Sequence, residues 1–147
     1  MGQGITNPAE PYFKDGGWGW DGTLWRKLPI VWGYSDRYAQ RLVNVNAALG
    51  DNTVTGSTVP EGEVWVVTAV VAFNTVSAIT RCELEVYDGA DTYFFRRKQT
   101  VAKDEETAYQ GQIVMKKDDR IRATFVGCVA GDDLHLRMLG YKMQVNA

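Results

Sequence analysis

From about Arg41 onward, hydrophobic and polar positions alternate with a period of two, the spacing of a strand with one face buried. Cys82–Tyr87 shows it most cleanly: Cys82, Leu84 and Val86 point one way, Glu83, Glu85 and Tyr87 the other. Arg120–Cys128 repeats the pattern, with Ile121, Ala123 and Phe125 inward and Arg120, Arg122 and Thr124 outward. Further strand-like runs are Arg41–Ala48, Val64–Phe73, Thr92–Lys98, Ala108–Met115 and Leu134–Val145. Turn signals divide them: Pro60-Glu61-Gly62, Asp88-Gly89-Ala90-Asp91, Lys116–Asp119 and Ala130–Asp133, with a charged loop at Lys103–Glu106. About seven or eight short strands with hardly any helix predict an all-β fold, an antiparallel β-sandwich of jelly-roll-like architecture.

One run breaks the alternation. Val64–Phe73 is apolar on both faces, with Val64, Val66 and Val70 set against Trp65, Val67, Val71 and Phe73. A strand without a polar face is covered on both sides. It is either central in the fold or half of an interface with another chain.

Residues 1–40 read differently and predict an extended amino-terminal arm preceding a sandwich domain at 41–147. They hold Pro8, Pro11, Pro29 and seven glycines, with aromatic residues at no fixed period. Only Ser35–Leu42 suggests a short helix, with Ser35 as cap and Tyr38, Ala39 and Leu42 on one face. Four of the five tryptophans, Trp18, Trp20, Trp25 and Trp32, fall within this stretch. Fully covering four indoles of about 200 Å² each is worth roughly 20 kcal/mol before ordering costs. Exposed on an arm they would promote aggregation, so either the sandwich of the same chain or a neighbouring subunit covers them. Forty extended residues span up to about 130 Å, ample to cross onto a partner.

Composition narrows the function. A balance of 16 Lys+Arg against 18 Asp+Glu, net −2, argues against a nucleic-acid partner. No apolar run reaches the length of a membrane span, and the amino terminus lacks the basic and apolar regions of a signal peptide. Two cysteines, Cys82 and Cys128, are too few for a zinc site; Cys82 reads as a small buried hydrophobe. The single histidine, His135, sits in a strand with no nucleophile motif nearby. The acidic pairs Asp88/Asp91, Asp118/Asp119 and Asp132/Asp133 could hold Ca²⁺ or form a glycosidase pair if loops gathered them at one end. Turn chemistry explains them without that assumption. No catalytic residue, cofactor or metal is expected.

Three phrases carry a resemblance: "GTLWRKLPIVWGYSDRY", "STVPEGEVWVVTAVVAFNT" and "LEVYDGADTYFF". Together they are similar to small β-sandwich structural proteins of tailed-bacteriophage virions, in which an aromatic-rich amino-terminal segment precedes a strand introduced by a V-P-x-G-x-x-W phrase. The resemblance implies that Val59, Pro60, Gly62 and Trp65 fix the lead-in to the central strand. It also implies that Trp18, Trp20, Trp25, Leu28, Trp32 and Tyr34 are arm anchors, and that Val64, Trp65, Val67, Val71 and Phe73 form an interface or core strand. The function it implies is that of a capsid decoration or cement protein on the particle surface. Its expected partners are the major capsid protein or other virion subunits, and it is expected to be a homo-oligomer, with a trimer favoured. The alternative is a tail or fibre module that binds a receptor or carbohydrate.

Overall fold

A computed structural model of the chain describes the backbone of residues 18–20, 25–27 and 30–146, and the side chains of 36–145. Its strands are β1 (Trp18–Trp20), β2 (Trp25–Lys27), β3 (Ile30–Ala47), β4 (Gly50–Thr55), β5 (Glu63–Asn74), β6 (Ile79–Tyr87), β7 (Thr92–Val101), β8 (Thr107–Met115), β9 (Arg120–Cys128) and β10 (Asp132–Asn146). The last eight form two four-stranded sheets, β3-β10-β5-β8 and β4-β9-β6-β7, in which every pair is antiparallel. Each connection from β3 to β10 crosses between the sheets except the β6–β7 hairpin, which is the connectivity of a jelly roll. The expected architecture is therefore present. Among the described residues no helix is long and apolar enough to cross a membrane.

The core lies between the sheets. Leu84, Ile121, Ala123 and Phe125 from one sheet meet Val67, Val70, Leu134 and Leu136 from the other, all essentially inaccessible to solvent. Cys82 and Cys128 are buried free thiols in this core, and Cys82 is the small hydrophobe its strand pattern predicts.

The V-P-x-G phrase acts as a latch on the end of the sandwich. Val59 is buried, donates its N–H to the Asp119 carbonyl at 2.9 Å and accepts from the Asp118 N–H at 3.0 Å. Gly62, at φ +83°, turns the chain into β5, and its carbonyl accepts the Val145 N–H; a side chain at that φ would be strained. Trp65 then enters the core against Tyr38, with ring centroids 4.7 Å apart, and its indole N–H is taken up by Glu63.

The structure corrects three expectations. Residues 35–42 form strand, not helix, because β10 pairs with them residue by residue and draws Tyr38 inward. The first strand of the two larger sheets starts at Ile30, not Arg41, so the boundary expected at position 40 falls inside β3 and the positions of Trp32 and Tyr34 belong to the sheet. The face assignment along β5 is interrupted by a bulge at Thr68. Trp65 and Val67 face inward before it, Val70 and Ala72 after it, so Val71 and Phe73 turn to the opposite face from Trp65. Strand β4, absent from the sequence reading, is an edge strand with Val54 as its one buried side chain.

Candidate interaction surface

The outer faces of the two sheets differ in kind. On β4-β9-β6-β7 the outward residues complete one another. Arg122 Nε donates to Glu85 Oε1 at 2.5 Å and its Nη2 to Thr92 Oγ1 at 2.8 Å, while Thr124 Oγ1 donates to the same Glu85 oxygen at 3.0 Å. Glu83 is held by Arg81 and by Arg97. The Arg122 and Arg120 guanidinium carbons lie 4.2 Å and 4.9 Å from the Tyr87 ring centre. Glu83 and Glu85 are thus buried with their charges compensated, beside Phe94, which is left exposed.

The outer face of β3-β10-β5-β8 carries large exposed apolar side chains together with Arg41 and Arg137. Cross-strand pairing places Val43, His135 and Phe73 in one row, Arg41, Arg137, Val71 and Ala108 in the next, and Ala39, Leu139, Ala69 and Gln110 in a third. Val114 and Tyr141 flank Val66 in a fourth row further along. Val43, Leu139 and Val114 are 41%, 42% and 66% exposed, large apolar side chains left in water on one sheet face. At its centre is a hollow of about 270 Å³, lined by Ala69, Val71, Ala108, Gln110, Arg137 and Leu139. Ala69 and Val71 on β5 form its floor, with Gln110 on the β8 side and Arg137 and Leu139 on the β10 side. Thr68, at the bulge, donates its hydroxyl to the Leu139 carbonyl at 3.1 Å and holds the two strands in place there.

Close strand approach sets the far edge of this surface. Gly140 lies where β10 passes the bulge, and a Cβ there would collide with the Val66 carbonyl. Along the row that crosses β3, β10 and β5, His135 stacks on Phe73 at 4.7 Å and 4°, and Arg137 lies over the same ring at 5.2 Å. Burial lowers the His135 pKa, and Arg137 adds to that effect; no nucleophile lies in this row.

The sequence-derived site residues divide accordingly. Trp65 and Val67 are core; Val64, Val71 and Phe73 are on the outer face of β5 and half-buried. Trp18, Trp20, Trp25, Trp32 and Tyr34 are placed as backbone only, and Leu28 lies outside the described residues. Leu139, Val114 and Ala108 were missed because alternation shows which residues share a face but not which strands lie side by side.

The acidic pairs are engaged in turns at opposite ends of the sandwich. Asp88 Oδ1 accepts the N–H groups of Asp91 and Ala90 at 2.7 and 2.8 Å, which lowers its pKa. Asp119 accepts from the Lys116 N–H; Asp132 accepts from Ser77 Oγ and the Val129 N–H; Asp133 accepts from the Asn46 N–H. Among the described residues no three acidic, histidine or cysteine groups are gathered to hold a metal ion.

No family model matches the chain, and no curated protein matches its sequence. Solved structures similar in shape include the following three. A chain of the infectious bursal disease virus Gx strain is 15% identical at TM-score 0.35, over 86% of this chain and 36% of that one. The amino-terminal cellulose-binding domain of β-1,4-glucanase C from Cellulomonas fimi is 12% identical at 0.29, over 81% and 89%. Dimeric latent PorU from Porphyromonas gingivalis is 13% identical at 0.30, over 76% and 13%. The chain spans about a third of the viral chain it resembles. At these TM-scores the likenesses carry no argument about binding or assembly.

Proposed function

We propose that this chain is a non-enzymatic structural protein of a tailed-bacteriophage virion, a capsid decoration or cement protein that joins neighbouring subunits. The observation that supports it is the asymmetry of the sandwich: one outer face completes its own charges, while the other presents Val43, Leu139, Val114 and a hollow over Ala69 and Val71 to solvent. A sheet face of that composition is suited to protein contact. The jelly-roll connectivity agrees with a capsid-associated role, although the fold also serves lectins and cupins and does not decide between them. The test is co-sedimentation of the purified chain with shells assembled from the major capsid protein of the same phage. Saturable binding that Leu139→Glu abolishes is expected; absence of binding by the wild-type chain overturns the proposal.

A second reading, carbohydrate binding, is favoured by a different place. Tyr93 is 56% exposed beside a hollow of about 360 Å³ that it lines with Asp88, Lys116 and Asp119. An aromatic ring next to polar groups is what a sugar site requires. A glycan array separates the two readings: a signal lost in Tyr93→Ala supports this one.

A further inference from the structure

Arginines on the two outer faces differ in what they meet. On β4-β9-β6-β7, Arg81 and Arg97 reach Glu83, and Arg122 reaches Glu85. On β3-β10-β5-β8, Arg37, Arg41 and Arg137 are all exposed, and among the described residues none of them has a carboxylate partner. Arg41 and Arg137 stand directly opposite one another across β3 and β10, a placement that destabilises a sheet when the charges are alike. Arg137 lies over the Phe73 ring at 5.2 Å, a contact that orients it without supplying a counter-charge. The acids nearby do not close the pair. Glu106 lines the hollow with Arg137 but forms no ion pair with it, and Asp133 accepts the Asn46 N–H.

The register sets an apolar row between the cations. Arg41 and Arg137 share one row, Ala39, Leu139 and Ala69 the next, and Arg37 stands in the one after, opposite Tyr141. Residues on one side of a strand repeat every second position, about 7 Å, so Arg37 and Arg41 are about 13 Å apart with Leu139 and the hollow midway. The complement of cation, apolar, cation at that spacing is an extended chain with an acid, an aliphatic residue and an acid at alternate positions. A phosphate polymer would neutralise the arginines but lay its solvated backbone over Leu139 and Ala69. A polypeptide answers both, because a guanidinium takes a carboxylate through paired hydrogen bonds and the hollow takes the aliphatic side chain.

We infer that the outer β3-β10-β5-β8 face receives an acidic, extended segment of a partner protein, one carboxylate meeting Arg41 and Arg137, a second meeting Arg37, and an aliphatic side chain between them entering the hollow beside Leu139 and Ala69. This rests on the reading of that face as an interface and adds the chemistry of what covers it. Complementary charge of this kind fixes orientation and partner choice.

The probe is a synthetic peptide capped at both ends, Thr-Glu-Thr-Leu-Thr-Glu-Thr, titrated into the isotope-labelled full-length chain and followed by amide NMR. Saturable shifts are expected at Ala39, Arg41, Arg137 and Leu139. Affinity is expected to fall at least about 10-fold when both peptide Glu become Gln, when its Leu becomes Ser, or when the chain carries Arg41→Gln/Arg137→Gln. No saturable shift, or equal binding of either altered peptide, overturns the inference. So does single-stranded oligothymidylate that shifts the same signals and displaces the peptide, which would make the face a phosphate site. Thermal melting checks the premise: Arg41→Gln/Arg137→Gln is expected to melt no lower than the wild type, and a lower melt reveals a partner for these arginines within the chain and overturns the inference. Shell binding separates this inference from the proposed function. If the wild type and Arg41→Gln/Arg137→Gln bind shells equally while Leu139→Glu does not, the face stands as an interface and the acidic partner falls. If the wild type ignores shells but takes the peptide as expected, the proposed function falls and the inference stands.

Discussion

Replacing Arg122 by Met tests whether the charged face is a closed electrostatic unit. The substitution keeps much of the aliphatic stem but removes the guanidinium that Glu85 Oε1 meets at 2.5 Å and that covers the Tyr87 ring. The Glu85 side chain is 3% exposed and that of Arg122 24%, so the carboxylate would be left buried with only the Thr124 hydroxyl at 3.0 Å. Breaking a fully buried pair costs about 3–5 kcal/mol. Water entering along the quarter-exposed guanidinium site offsets part of that, and losing the cation–π contact adds about 0.5–1 kcal/mol. The expected net loss is about 3 kcal/mol, a large share of the stability of a domain this size, with Tm lower by about 9 °C. Glu85→Gln/Arg122→Met leaves a neutral amide in place of the stranded charge and should cost no more than about 1.5 kcal/mol. Urea unfolding of the wild type, both single variants and the double variant forms a complete cycle. A coupling energy below about 0.5 kcal/mol would refute the reasoning, since the pair would then be no different from one on an open surface.

Three further outcomes follow from the core, the bulge and the stacked imidazole. Burial raises the Cys82 thiol to about 11 and raises that of Cys128 as well, so the native protein should react with neither equivalent of a thiol reagent at pH 8, and with both in denaturant. Gly140→Ala should destabilise by about 1–3 kcal/mol by pushing β10 off the Val66 carbonyl, measured by the same urea titration with Ala39→Ser as a control on the neighbouring strand. The His135 pKa is lowered in the folded state, so the unfolded chain binds the proton more tightly. Its contribution is complete above the unfolded value of about 6.5 and is lost as pH falls through the folded one. Thermal melts from pH 7.5 to 5 should show a smaller acid slope in His135→Gln than in the wild type.

Local patterns carried much of the fold. The alternation in Cys82–Tyr87 and Ile121–Phe125 gave the correct inward residues, and Pro60-Glu61-Gly62 and Asp88–Asp91 marked real turns, because strand period and turn chemistry are written within a few neighbouring residues. The start of β3 was hidden because what makes Ile30–Gln40 a strand is the far end of the chain: Ile30 pairs with Asn146. Pro29 and Gly33 punctuate that stretch locally, and the pairing overrides them. The β5 faces were misassigned after Thr68, since a single bulge reverses the inward phase and its polar residue stands alone in an otherwise apolar run. The candidate surface was legible only as a strand lacking a polar side. Its other half comes from β8 and β10, about 40 and 70 residues away, and only the strand order brings Ala108 and Leu139 to either side of Ala69 and Val71.

The two outer faces of the sandwich divide its surface chemistry: one carries exposed apolar side chains around a hollow midway along the sheet, the other carries its charges in compensated pairs. On the opposite face Glu83, Glu85, Arg81, Arg97 and Arg122 hold one another in place, with Phe94 as the large apolar side chain beside them. That sheet can face outward while the apolar one is spent on contacts. A sandwich whose two outer faces differ in this way is suited to lie flat in an assembly, and shell binding by the Leu139→Glu variant measures that directly.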